Sequence, residues 1–146
     1  MSLSDWLKNG WLRVHSPNRN EIAGKLAVVE RDLRVSADAK GDPDWRFVAA
    51  FNAALQSATV ALLASGYDLP KGTGSHQRMI DTLKFTIAAD TALVDELQAF
   101  RGKRGGTVYD SVGIASETEI EEMRALAVDL SGKVNAWLKA HHKELL

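Results

Sequence analysis

The run Phe100-Arg101-Gly102-Lys103-Arg104-Gly105-Gly106-Thr107-Val108-Tyr109-Asp110 holds three positive charges in four residues and no acid before Asp110. Leu93, Leu97 and Phe100 mark one stripe of a helix. Four residues beyond Leu97 is Arg101, and four beyond Phe100 is Arg104, so both arginines continue the apolar face. An arginine on such a face has to meet an anion, backbone carbonyls or a wet groove. Its planar fork suits phosphate, to which it donates two hydrogen bonds at once. Tyr109 adds a ring that can stack on a base or a hydroxyl that can donate to phosphate. Lys103 falls off the face and is expected in solvent. On spacing alone a structural role is the stronger reading. Cations at a helix C-terminus complement the macrodipole by about 0.3–1 kcal/mol each, and an inward arginine can pair with a carboxylate such as Asp110.

Two further candidates lie elsewhere. Asn52, Gln56 and Thr59 form a polar stripe beside an apolar one, suited to a ligand or to hydrogen bonds inside a helical assembly. His76 stands at the start of a helix, which favours its neutral form and leaves it free to accept a hydrogen bond. It is otherwise a structural or merely exposed histidine. Metal and cofactor chemistry find little footing. The four His are badly spaced, and the chain has no Cys. His141 and His142 are adjacent and so point about 100° apart on a helix. No Glu-x-x-His pair occurs, which argues against a di-iron site. Lys71-Gly72-Thr73-Gly74 lacks the Gly-Lys-Ser/Thr ending of a phosphate loop, and no Gly-x-Ser-x-Gly elbow is present. No metal and no cofactor are expected.

The elements that must position these residues read as helices. The 146 residues suffice for one domain, residues 1–146, and the 45% hydrophobic content is that of a folded globular chain. Leu3 to Val14 suggests a short helix that Asn9-Gly10 bends or breaks. Ile22, Leu26, Val29 and Leu33 predict a helix over residues 20–37. Asp42 as cap and Pro43 in the first turn start a third, carried by Val48, Phe51, Leu55, Ala58 and Leu62 and ended by Gly66. Ser75 is expected to cap a fourth helix through Met79, Ile80, Leu83 and Ile87. Asp90 caps a fifth, which Gly105-Gly106 ends. Ser116-Glu117-Thr118-Glu119 is a capping box ahead of Ile120, Met123, Ala127, Leu130, Val134 and Trp137. No stretch alternates with period two, so no strand is expected. The fold class is all-α, an antiparallel bundle of four long helices plus one or two short ones.

Lys and Arg number 18 and Asp and Glu 19, a net charge of −1 that excludes a generally basic nucleic-acid coat but not a local patch. The longest strongly apolar stretch, around Val60 to Ala64, is too short to span a bilayer, and residues 1–9 lack a signal-peptide pattern. A soluble, cytoplasmic protein without a membrane partner is expected.

The order of elements resembles a HEPN domain, the all-α module named for higher eukaryotes and prokaryotes nucleotide-binding. The resemblance rests on Asp42-Pro43-Asp44-Trp45-Arg46, Phe51-Asn52-Ala53-Ala54, Ala64-Ser65-Gly66-Tyr67, Ser75-His76-Gln77-Arg78-Met79-Ile80, Phe100-Arg101-Gly102-Lys103-Arg104 and Tyr109-Asp110, and spans residues 42–137. It implies a bundle that commonly dimerises. It also implies roles as an RNase in toxin–antitoxin and antiviral systems, as a partner of minimal nucleotidyltransferases, or as a binder of nucleotides and RNA. RNase members place a His four to six residues after an Arg and a polar residue. Here Arg104 is followed by Gly105, and no His stands in the window. What carries over is Arg104 with Tyr109-Asp110, as in the non-RNase branch.

The expected function is a binding module for nucleotide, RNA or a partner protein such as a nucleotidyltransferase or antitoxin, as a homodimer, with the missing RNase-type His after Arg104 weighing against an enzyme. Its candidate ligand residues are Arg101, Arg104, Tyr109, Asp110, Asn52, Gln56 and His76. Two alternatives stay open. One is a metal-independent RNase toxin in which Arg104 stabilises charge and Tyr109 or His76 moves protons. The other is a structural helical adaptor whose arginines form salt bridges.

Overall fold

The computed structural model describes residues 1–72, 74–109, 112, 113 and 115–146, with residues 105–109 described by their backbone alone. The chain is mostly helical: α1 (Leu3–Lys8), α2 (Arg19–Ala37), α3 (Pro43–Ala64), α4 (Ser75–Asp81), α5 (Leu83–Thr86), α6 (Thr91–Tyr109) and α7 (Glu117–His141), then a 3-10 turn at Lys143–Leu145. Two short strands, β1 (Arg13–Val14) and β2 (Tyr67–Asp68), pair antiparallel, with Arg13 opposite Asp68 and Val14 opposite Tyr67.

The core is built around α3. Ala50, Ala53, Ala58, Ala61, Val60 and Leu62 have no more than traces of exposure, on every side of the helix. A helix apolar all round belongs in an interior, and α2, α4, α5, α6 and α7 all pack against it. By length and composition α3 could cross a membrane, a wider apolar span than residues 60–64 suggest, but 78% of its most apolar window is buried within the fold. The alanines let neighbouring helices approach closely, while Phe47 and Phe51 supply bulk. Phe47 meets Phe100 of α6 with ring centroids 5.7 Å apart.

The helix starts are local. Asp42 Oδ1 accepts from the N–H groups of Asp44 and Trp45, ahead of Pro43 in the first turn. Asp90 accepts from Leu93 N–H, and Ser116 and Glu119 close the reciprocal capping box.

Several elements depart from the sequence expectation. The first helix stops at Lys8, with Gly10 at φ +76° and Trp6, Trp11 and Phe85 meeting edge to face. Two strands exist where none was expected. They are too short to show alternation, and tertiary contacts hold them: an Arg13–Asp68 ion pair at 3.1 Å, His15 N–H donating to Gly66 C=O, and Gly66 at φ +92°. The single helix expected from Ser75 to Ile87 is divided at Thr82. That residue is fully buried, and its hydroxyl donates to Met79 C=O at 2.6 Å. Ser75 is not the cap; Gly74, at φ +80°, precedes α4 without any side-chain cap. Finally, α6 continues through Gly105-Gly106 to Tyr109. Glycine weakens a helix by about 1 kcal/mol relative to Ala but does not forbid it.

The two N-terminal turns of α3 and α7 are tied by charge. Arg46, 4% exposed, donates from Nε to Ser36 C=O and from Nη1 to both carboxylate oxygens of Glu117, with Nη2 at 3.5 Å from Glu121. Gly41 makes room for it: a Cβ there would lie 3.3 Å from Arg46 Cγ and 3.2 Å from Asp38 C=O. Arg124 reaches Ser36 Oγ and Glu121 from the other side. Asp44, also buried, accepts from the N–H groups of Gly113 and Ala115, anchoring the α6–α7 connection.

Candidate functional site: a basic groove and an adjoining cavity

Arg101 and Arg104 sit on α6 where it faces α3 and α4. Because the helix runs on to Tyr109, both arginines lie before its last turn. The macrodipole effect fades within that turn, so it accounts for little of their placement. Arg104 stacks over the Phe51 ring at 5.9 Å, a cation–π contact. Arg101 Nε donates to Gln98 Oε1 at 2.9 Å. Gln98 in turn donates to Gln77 C=O and to Asp81 on α4. This relay fixes Arg101 against α4 and fills one of its five donors. Among the described residues neither arginine has an ion-pair partner. Asp110, the carboxylate suggested for them, and the side chain of Tyr109 lie outside the described residues.

His76, on α4, lies within electrostatic reach of both arginines. Its imidazole is held below the ordinary histidine value, first by burial and then by the charges of Arg104 and Arg101. The fold therefore brings a neutral imidazole to the two guanidinium groups from a different helix, 25 residues before Arg101 in the chain. The His76 ring has no hydrogen bond to any described residue.

On its other side His76 lines a cavity of about 400 Å³ with Lys25 of α2, Gln56 and Thr59 of α3, and Lys71 and Ser75. Gln56 Oε1 is buried and accepts nothing from the described residues. An unsatisfied buried carbonyl costs about 1–3 kcal/mol, so the amide is unusual for an interior group. Asn52 is separate. It donates to the buried Asp32 carboxylate at 2.6 Å, which Arg31 also contacts. That is the internal hydrogen bond weighed for the polar stripe. Asn52 and Gln56, one turn apart, thus face different tasks.

Lys103 departs from expectation. It is not free in solvent but pairs with Glu119 of α7 at 3.1 Å and is only a quarter exposed. Glu119 is held below the ordinary carboxylate value by the Ser116 backbone N–H first and Lys103 next. Lys103 points toward α7 because it lies two positions from Arg101, on the far flank of the helix.

Sequence reasoning missed Lys25, Lys71 and Ser75, which only the tertiary fold brings to His76. Lys71 lay in a glycine-rich loop that failed the phosphate-loop pattern. It missed the buried Arg46 as well. The one signal for that residue was its position four residues before Ala50 and seven before Ala53, on a helix apolar on all sides. Among the described residues no group of three His, Cys, Asp or Glu is arranged to hold a metal ion. In comparisons with known proteins, no family model matches the chain, and neither a curated protein nor a solved structure does.

Proposed function

We propose that this chain is a HEPN-like, cytoplasmic binding module that takes the phosphates of RNA or a nucleotide on Arg101, Arg104 and His76. In this reading the long helices form an antiparallel bundle that associates as a homodimer. Tyr109 and Asp110 join the ligand set through the family resemblance, and a nucleotidyltransferase or antitoxin is the expected protein partner. One observation carries the reading. Two half-buried arginines face a neutral histidine without an ion-pair partner among the described residues. Half-buried guanidinium groups are costly to leave without an anion, and a phosphate answers both by bidentate hydrogen bonding.

A specific observation also favours the RNase alternative. A neutral imidazole beside two fixed cations is suited to take a proton while the arginines stabilise the charge that develops on phosphorus. His76 would then perform the task of the histidine absent after Arg104.

Total RNA incubated with the protein, with and without EDTA, separates these readings. The binding module gives a mobility shift without cleavage, and Arg101→Ala/Arg104→Ala, folded by circular dichroism, abolishes the shift. Cleavage that survives EDTA and is lost in His76→Ala establishes the RNase. Neither cleavage nor a shift with RNA, together with no binding of a labelled nucleotide, overturns both.

A further inference from the structure

The cavity beside His76 has a chemistry of its own, which Arg101 and Arg104 do not share. Lys25 and Lys71 both line it, and among the described residues neither has an ion-pair partner. The carboxylate on the same wall, Asp68, is already paired with Arg13 across the β1–β2 ladder. The local balance is therefore cationic in a chain whose overall charge is −1. A cationic recess asks for an anion. Gln56 asks for something further. Its Oε1 is buried and lacks a donor, and the terminal amide torsion is soft enough to turn its oxygen toward an occupant. A bare anion such as inorganic phosphate gives the lysines their counter-charge but offers the amide oxygen little. A phosphate monoester on a hydroxylated carbon skeleton supplies both the charge and the O–H donor. At about 400 Å³ the recess lies within the range of small-molecule sites and is too small for a macromolecular surface.

The geometry points to a second, small-molecule site in which Lys25 and Lys71 hold the phosphate of a sugar phosphate or nucleoside monophosphate and Gln56 accepts from a sugar hydroxyl. Ser75 lies on the same wall with its hydroxyl uncommitted among the described residues, and it donates to the phosphate. His76 feels the charges of Arg104 and Arg101 as well, so an occupant of the cavity is sensed at the two arginines. The inference adds to the proposed function without depending on it.

Calorimetric titration of the full chain with ribose 5-phosphate, AMP, inorganic phosphate and ribose tests the site. Ribose 5-phosphate is expected to bind, with AMP at least as tight if the recess accepts a nucleoside and weaker if it is built for the sugar alone. Either order supports the inference. Lys25→Ala/Lys71→Ala, two substitutions of surface-reaching side chains, is expected to weaken ribose 5-phosphate at least tenfold. Gln56→Met is expected to reduce its advantage over inorganic phosphate by about five- to tenfold, the value of one hydrogen bond. The His76 ring resonances should shift on adding ribose 5-phosphate, also in the Arg101→Ala/Arg104→Ala protein, whose affinity should stay within about twofold.

No heat with either phosphate ester at millimolar concentration overturns the inference, as does equal affinity for inorganic phosphate and ribose 5-phosphate. Binding that collapses in the arginine variant and survives in the lysine variant overturns it too, while leaving the arginine groove as a phosphate site. Loss of RNA binding in the wild-type assay with ribose 5-phosphate still bound sinks only the proposed function.

Discussion

Two regions of this molecule handle arginine in opposite ways. At the start of α3, Arg46 is almost wholly buried and fully engaged by Ser36, Glu117 and Glu121. About 8 to 15 Å further along α3, by the rise of 1.5 Å per residue from Arg46 to Phe51 and Gln56, its flank meets Arg104 and then the cavity of His76, Lys25 and Lys71, with Arg101 one turn before Arg104 on α6. There the positive groups meet an aromatic ring, an amide and one another. The first arrangement spends charge on holding three helices together. The second leaves charge available. The difference teaches that the type of residue says little until its partners are known.

The largest expected effect is at the engaged end. Arg46→Ala strands the buried Ser36 carbonyl, empties the space its own buried side chain fills and removes the tie between α3 and α7, at a cost of about 2–4 kcal/mol. Denaturant melts monitored by Trp fluorescence measure it. Asp44→Ala comes next, at about 1–3 kcal/mol, because the N–H groups of Gly113 and Ala115 lose their acceptor. The double variant Arg101→Ala/Arg104→Ala should cost about 1–2 kcal/mol, because the two lose one hydrogen bond to Gln98 and one cation–π contact, each worth about 0.5–1 kcal/mol. A loss as large as that of Arg46→Ala would erase the contrast between the two regions. Glu117→Gln, whose carboxylate is 68% exposed, should cost under about 1 kcal/mol despite its bond to Arg46.

The smallest effect is a titration. His76 is depressed in the fold, so as pH falls the unfolded chain takes up its proton first. Its influence on stability is then nil well above pH 6.5, the ordinary value. Stability declines as pH falls from there through the lowered folded value, and no further below it. Removing Arg104 should return the His76 titration toward its ordinary value more than removing Arg101, following the order of their influence. An NMR titration of the imidazole carbons reads both shifts. Equal responses to the two variants would overturn that order.

What could be read from the chain divides along the range of the interaction. Asp42, Asp90 and Ser116 cap helices within three residues of themselves, and these starts were legible because the chemistry is local. The inward phase of Arg101 and Arg104 was legible for the same reason. Their partners were not. Nothing near residue 101 says that Gln98 reaches across to Gln77 and Asp81, or that His76 arrives from another helix. The break at Thr82 depends on its burial, and the β1–β2 ladder depends on bringing residues 13 and 68 together. The continuation of α6 through two glycines ran against propensity, which tertiary context overrides.

The alanine surface of α3 bears on how this protein can change. Ala50, Ala53, Ala58 and Ala61 have no room for a larger side chain without prising helices apart, so substitution along most of the helix is closed to drift. Gln56 and Thr59 stand on that same helix at its half-buried flank, bordering the cavity. Variation is therefore channelled toward the positions that touch an occupant. Descendants of this chain can acquire new ligand preferences while keeping an invariant scaffold.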